Sequence, residues 1–379
     1  LGEKFMTDKE LREIKRRFRP DKNNILNLKG CLVNSEKTIV SHINQPMASC
    51  SVEDSEKILG IMKKAISGSL GTNLLDLEFP AEAPSVSEKH KVLMELKNTY
   101  LKNENALNCF YRQVIESVHF EGSFAILLAS DNYDVFSYSE DGDKADSSEI
   151  FSYIICAVCP VKPLNAGLCY RDYDTSFRSL DEQTLLCPPE IGFMFPTFDN
   201  RSTNIYNTLY YTKNVADVHP EFIDNIFGLP LPMSATEQKD SFDACLKETL
   251  AEECDFEVVR SVHDQISEMV QEHKDQKQEE PLKLSKKELK NVLEYCGIEE
   301  EKVEEFGEKF DEQFGKNAEI SPKSIVDVKK FEVVTPDVSI KVNPERTDLV
   351  STQVINGVRY IMIRANEGVE VNGVNISIK

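Results

Sequence analysis

Phe151-Ser-Tyr-Ile-Ile-Cys-Ala-Val-Cys-Pro-Val161 is the stretch on which the fold reading turns. It reads as a strand, in which successive side chains point to opposite faces, so Cys156 and Cys159, three apart, diverge unless Pro160 marks a bend beginning at Cys156. Apolar runs of the same kind recur at residues 123–129, 135–139 and 191–195, and residues 205–212 alternate around tyrosines. The acidic stretch from Glu140 to Asp146 between two of these runs is expected to be a solvated loop.

Upstream, residues 25–33 and 38–43 read as a hairpin around Asn34-Ser-Glu-Lys37. Helices are expected at 52–67, 88–101 and 104–118, with Ser87 and Asn103 as caps of the last two, and residues 74–79 form a strand. Thr7-Asp-Lys-Glu10 is a capping box in which hydroxyl and carboxylate satisfy helix-end amides reciprocally. Leu11, Ile14 and Phe18 then share a face before Arg19-Pro20 ends the helix. The fold class is α+β: a mixed, largely antiparallel sheet with covering helices over residues 6–230. An acidic helical segment follows over 234–318. It holds one or two long helices to His273, a polar linker from Lys274 to Pro281, and a helical hairpin opened by the Ser285-Lys-Lys-Glu288 capping box and punctuated by Gly297. Val303, Phe306, Phe310 and Phe314 supply that hairpin's apolar face. Residues 328–379 make a small β unit, with Val338-Ser-Ile-Lys-Val342 and Tyr360-Ile-Met-Ile-Arg364 as half-buried strands and Asn356-Gly357 and Asn372-Gly373 as hairpin turns.

The chain has 379 residues, a net charge of −21, 40% hydrophobic and 29% charged residues. That is the composition of a soluble globular protein, and its field repels phosphate-rich partners and anionic membranes. No apolar run approaches the roughly 18 residues of a membrane span, and the charged N-terminus lacks the apolar core of a secretory leader. Ten cysteines at irregular spacings, several inside apolar runs, fit packed thiols in a reducing compartment better than a disulfide scaffold. The expected location is cytoplasmic.

Several segments resemble one bacterial family, catalogued as domain of unknown function 4317. They are Arg16-Arg-Phe-Arg-Pro-Asp-Lys-Asn-Asn-Ile25, Cys156-Ala-Val-Cys-Pro-Val-Lys162, Phe193-Met-Phe-Pro-Thr-Phe-Asp-Asn-Arg-Ser-Thr203 and Tyr210-Tyr-Thr-Lys-Asn214. Toward the C-terminus they are Lys330-Phe-Glu-Val-Val-Thr-Pro-Asp-Val338, Val342-Asn-Pro-Glu-Arg-Thr-Asp348 and Ile363-Arg-Ala-Asn-Glu-Gly-Val-Glu-Val-Asn-Gly373. The resemblance spans nearly the whole chain and implies a cytoplasmic bacterial protein. It carries over no catalytic or ligand-binding residue.

Two constellations are candidates for chemistry. The first gathers Asp199, Arg201, Ser202 and Thr203 in one turn, with Tyr210 and Tyr211 on the strand that leaves it. An arginine there grips phosphate or carboxylate through parallel hydrogen bonds while Asp199 orients it. In the other reading Asp199 accepts hydrogen bonds across its own turn and Arg201 pairs with a distant acid. The second is the basic patch Lys15, Arg16, Arg17, Arg19 and Lys22. It serves phosphate binding, or it complements the helix dipole and pairs with the acidic helices. Cys156-Ala-Val-Cys159, with Cys169 and Cys187 downstream, invites a zinc reading, because thiolate sites take two ligands from a tight turn. A strand at Cys156 opposes that reading, and no metal and no cofactor is expected. Neither a Walker-type phosphate loop nor a dinucleotide fingerprint nor a His-Glu-x-x-His pair occurs, so no familiar enzyme class is indicated. The function expected from the sequence is a binding or regulatory module for a protein partner. An enzyme or binder of an anionic small ligand at the Asp199–Arg201 turn is one alternative, and nucleic-acid binding through the N-terminal helix is the other.

Overall fold

Strands whose two neighbouring residues are both apolar must be covered on both faces, and that requirement organises the N-terminal half of the chain. The computed structural model describes residues 6–138, 144–199, 201–251, 254–276, 282–316, 318–327, 330–365, 368–371 and 374–376. The polypeptide divides into two compact units, one running to Ser234 and one beginning at Ala235.

The first unit opens with α1 (Asp8–Lys15), whose Thr7–Glu10 capping box is formed as expected. Strands β1 (Asn27–Val33) and β2 (Ile39–Pro46) make the N-terminal hairpin. Then come α2 (Val52–Lys64), β3 (Leu74–Glu78), the single turn α3 (Ala83–Val86), α4 (Glu88–Asn98) and α5 (Glu104–Ser117). Ser87 and Asn103 cap α4 and α5 by accepting from main-chain amides. Two long strands follow, β4 (Phe124–Tyr138) and β5 (Lys144–Leu164). The hairpin β6 (Gly167–Arg171) and β7 (Ser176–Leu180) and the short β8 (Gln183–Leu186) lead to β9 (Ile191–Phe195). The small hairpin β10 (Thr197–Asp199) and β11 (Ser202–Asn204), then β12 (Asn207–Thr212), α6 (Pro220–Phe222) and a π turn at Ile223–Phe227 complete it. The sheet runs β2-β1-β4-β5-β9-β12-β3 with β8 beside the end of β5, and its strand pairs are antiparallel.

Alternation sends Ile154, Cys156 and Val158 to the layer built by α4, α5 and the π turn, among Leu107, Phe110 and Phe227. It sends Tyr153, Ile155, Ala157 and Cys159 to the layer built by α1 and α2, among Leu11, Ile14, Leu59 and Met62. Helices therefore cover both faces, and Cys156 and Cys159 end in different layers. Where α2 closes on the sheet, a Cβ at Gly192 would lie 2.6 Å from the Ala65 Cβ and 2.9 Å from the Cys156 carbonyl oxygen, so only glycine permits that approach.

The expected loop from Glu140 to Asp146 is corrected in part. Glu140 to Asp143 lie outside the described residues, but Lys144 is already in β5, paired with Tyr138. Backbone pairing between two long neighbouring strands overrides the polar sequence there.

The second unit begins with α7 (Ala235–Leu250) and α8 (Phe256–Asp275). The pair β13 (Leu284–Ser285) and β14 (Glu319–Ile320) brackets α9 (Lys286–Tyr295) and α10 (Glu300–Phe314), and α11 (Pro322–Ile325) follows. Val303, Phe306 and Phe310 are buried together with Phe242, Leu246, Ile266 and Leu289. The Ser285–Glu288 capping box forms as read. Three hairpins end the unit: β15 (Phe331–Val334) with β16 (Ser339–Val342), β17 (Val350–Ile355) with β18 (Val358–Ile363), and β19 (Val369–Val371) with β20 (Val374–Ile376). The first rests on α8, Phe331 meeting the rings of Phe256 and His263. Asn356 and Gly357 both take positive φ, the requirement of the two-residue turn expected there. Asn372-Gly373 lies outside the described residues, and α8 extends through Lys274 into the stretch read as a linker.

Candidate functional site

The N-terminal helix is pinned by the residues that face inward. Leu11, Ile14 and Phe18 are buried against the sheet. Glu10 accepts from its own cap, Thr7, and with its other oxygen from the Arg201 amide at 2.9 Å. Glu13 pairs with the Arg201 guanidinium at 2.6 Å and accepts from the Tyr133 hydroxyl. Arg17 turns inward too. Its Nε and Nη2 donate to the two oxygens of Asp131 at 3.1 Å each, and Nη2 also donates to the Asn132 carbonyl. Asp131, 1% exposed, additionally accepts from the Asn24 amide at 2.7 Å and the Tyr153 hydroxyl at 2.9 Å.

The remaining cations of the patch are left on the outside. The main-chain turn in which the Lys22 amide donates to the Arg19 carbonyl, with Pro20 and Asp21 between, folds the chain after α1 back on itself. Lys15, Arg16, Arg19 and Lys22 thereby line one surface depression of about 410 Å³, and Lys63 from α2 supplies its opposite wall. Among the described residues, no carboxylate lies within 4 Å of any of these five ammonium and guanidinium groups. Burial lowers the Lys15 pKa below the ordinary lysine value, Asp8 offsets part of that, and the like charge of Lys63 lowers it further. A half-buried ammonium facing another cation is a position that an anion would relieve.

The Asp199–Arg201 turn is arranged differently from the ligand-facing reading. Asp199 is 4% exposed and accepts from Thr197 at 3.0 Å and Asn204 at 2.7 Å, within its own hairpin. Burial raises its carboxyl to about 6, against the lowering effect of those two hydrogen bonds, with Glu10 raising it further. Arg201, at φ 57, leaves the extended conformation that would have set it beside Asp199, and it serves Glu10 and Glu13 instead. Ser202 is exposed and Thr203 half-buried on the returning strand. Tyr210 is fully buried on the other side of the sheet, its hydroxyl donating to the Val218 carbonyl at 2.9 Å. Tyr211 faces the α1–α2 layer. The structure thus joins Asp199 and Arg201 to α1 and separates Tyr210 from them. Adjacent residues of a strand cannot share a face.

The thiols are packed. Burial pushes Cys31 and Cys159 up to about 12 and raises Cys156 well above the ordinary value, which disfavours the thiolate that nucleophilic or metal chemistry needs. Among the described residues no three or more His, Cys, Asp or Glu side chains are grouped to hold a metal ion, and no helix is long and apolar enough to cross a membrane.

The family model described as domain of unknown function (DUF4317) matches residues 6–374, nearly the whole chain. The chain belongs to this family. No curated protein and no solved structure matches it.

Two features of this DUF4317 member were not read from its sequence. The first is α2 as the second wall. Glu56, Gly60 and Lys63 recur at helical spacing on one face, and a glycine at the middle of an exposed helix costs up to about 1 kcal/mol relative to alanine. Gly60 has no positive φ, and a Cβ there would meet nothing within 4 Å, so the fold does not require it. The second is the hairpin β6–β7. Leu168 (77% exposed), Tyr170 and Phe177 (68% exposed) share one of its faces, and the two rings stand opposite each other at 5.3 Å.

Proposed function

We propose that the N-terminal unit is a binding module for a small, multiply charged anion, of which a phosphate-bearing compound is the fitting class, held in the Lys15–Lys63 depression. The observation that carries this reading is the set of five cations around one hollow, none of them within 4 Å of a carboxylate among the described residues, in a chain whose acids outnumber its bases by 21. Lysine and arginine side chains offer only donors, so they recognise groups that only accept, as phosphoryl oxygens do. The hollow is local, and the charge of the whole chain opposes an extended polyanion, which favours a small ligand over nucleic acid. Inorganic diphosphate is a suitable probe for calorimetric titration. It should bind with an affinity that falls with salt, and Lys15→Ala with Lys63→Ala should weaken it by about tenfold or more, a loss of roughly 1.4 kcal/mol. Diphosphate binding that is absent, or unchanged in the double variant, removes the proposal.

A protein partner is the second reading. The exposed Leu168, Tyr170 and Phe177 face of β6–β7 supports it, because apolar rings displayed together on a projecting hairpin favour contact with another surface.

A further inference from the structure

A second depression of about 500 Å³ adjoins the first. Arg19 and Lys63 line both, and Phe18, Pro20, Asp21, Glu56 and Gly60 complete the second. Its chemistry differs. The side chains lining the first hollow are all cationic donors, whereas in the second Asp21 and Glu56 add carboxylate acceptors and Phe18 and Pro20 add apolar lining. Asp21 and Glu56 sit in the same hollow as Arg19 and Lys63, yet among the described residues neither acid is within 4 Å of any cation. Opposite charges that share a hollow without closing on each other leave a gap that a bridging ligand would fill. Gly60 lies along that gap, with open space where a side chain would stand. A glycine that neither the backbone conformation nor the packing demands keeps the hollow clear.

We infer that the ligand is a phosphorylated sugar unit, as in a nucleotide or a sugar phosphate, lying across both hollows. Its phosphate rests among Lys15, Arg16 and Lys22, its middle between Arg19 and Lys63, and its hydroxyls donate to Asp21 and Glu56. Carboxylates are acceptor-only and bind vicinal hydroxyls well, while bare phosphate lacks the paired hydroxyls of a sugar and its negative charge is repelled by them. The inference rests on the proposed anion-binding role of the first hollow.

Titration of the full chain tests it with two matched pairs of probes: ADP against inorganic diphosphate, and ribose 5-phosphate against inorganic phosphate. The sugar-bearing member of at least one pair should bind about tenfold tighter than its bare counterpart. A preference in both pairs identifies the phosphorylated sugar as sufficient, and a preference in the ADP pair alone identifies a nucleotide. Asp21→Asn with Glu56→Gln should erase the preference while leaving diphosphate affinity unchanged or higher. Gly60→Gln should weaken ADP without weakening diphosphate and without lowering the melting temperature, since glutamine favours the helix and a Cβ at this position meets nothing within 4 Å. Equal affinities within both pairs, or a preference that survives the Asp21/Glu56 variant, overturn the inference and leave the first hollow as a plain anion site. Absence of diphosphate binding, or diphosphate binding that ignores Lys15→Ala and Lys63→Ala, refutes the underlying role instead.

Discussion

Arg17→Ala should unfold the N-terminal unit more readily while leaving its anion affinity intact, although Arg16 beside it lines the depression. Removing one partner of a buried ion pair costs about 3–5 kcal/mol, because the other charge remains in the interior. Here the stranded group is Asp131, at 1% exposure, but it keeps the Asn24 amide and the Tyr153 hydroxyl as donors. Arg17 itself is 15% exposed at the side chain, so some solvent reaches the pair. Both effects place the expected loss at the low end, about 3 kcal/mol. For a unit of this size that corresponds to a melting temperature lower by roughly 6–12 °C. Far-UV circular dichroism is the natural probe, since the chain contains no tryptophan. The control is Arg16→Ala, an exposed residue next along the chain with no carboxylate within 4 Å among the described residues, which should change stability by less than about 0.5 kcal/mol. Diphosphate affinity should show the opposite order, weakened by Arg16→Ala and within about twofold of the parent for Arg17→Ala, which lies off the depression. If Arg17→Ala melts with the parent, or if Arg16→Ala is the more damaging of the two, the division of the patch into structural and ligand-facing cations is wrong.

The remaining predictions concern the neighbouring turn and the projecting hairpin. Asp199 has an ordinary pKa of 3.8 and one of about 6 in the fold, so it holds its proton more tightly folded than unfolded. The stability this confers is complete below about pH 4 and lost as pH rises through 6, on the order of 3 kcal/mol. Asp199→Asn, which stays neutral and keeps an acceptor oxygen for Thr197 and Asn204, should therefore raise the unfolding midpoint above pH 6 and have progressively less effect toward pH 4. A gap that does not vary with pH would count against this account. On β6–β7, Leu168→Ser with Phe177→Ser should leave stability within about 0.5 kcal/mol and abolish recovery of a specific protein from native lysate. Equal recovery by parent and variant removes the partner reading.

Where burial dictates side-chain pattern, the sequence was sufficient. The run from Phe151 to Val161 announced a two-faced strand, and the opposite placement of Cys156 and Cys159 follows from counting residues along it. The capping boxes at Thr7 and Ser285 and the caps at Ser87 and Asn103 were equally visible, because each depends on residues three or fewer positions apart. Strands β6, β7 and β8 were not visible, since they bury almost nothing and carry no alternation for a core to impose. The site was half legible. The cationic cluster after α1 stood out against an acidic chain, but composition did not separate Arg17 from Arg16. That distinction depends on Asp131, more than a hundred residues away and brought near only by the pairing of β1 with β4. The opposite wall on α2 was hidden for the same reason. The Asp199–Arg201 turn looked like a site because its polar groups are concentrated, and the acids that engage Arg201 come from a helix at the other end of the unit.

The close seating of α2 at Gly192 bears on how the two hollows are held open. With the Cys156 carbonyl and Ala65 almost touching the glycine backbone, the end of α2 has no intervening side chain on which to slide or rock. Lys63 lies two residues before that contact, so its main chain is anchored to the buried interior of the sheet. A wall fixed in this way before any guest arrives spares association the entropy of ordering it. Selectivity among anions would then come from the fixed spacing of the charged groups rather than from closure around whatever enters.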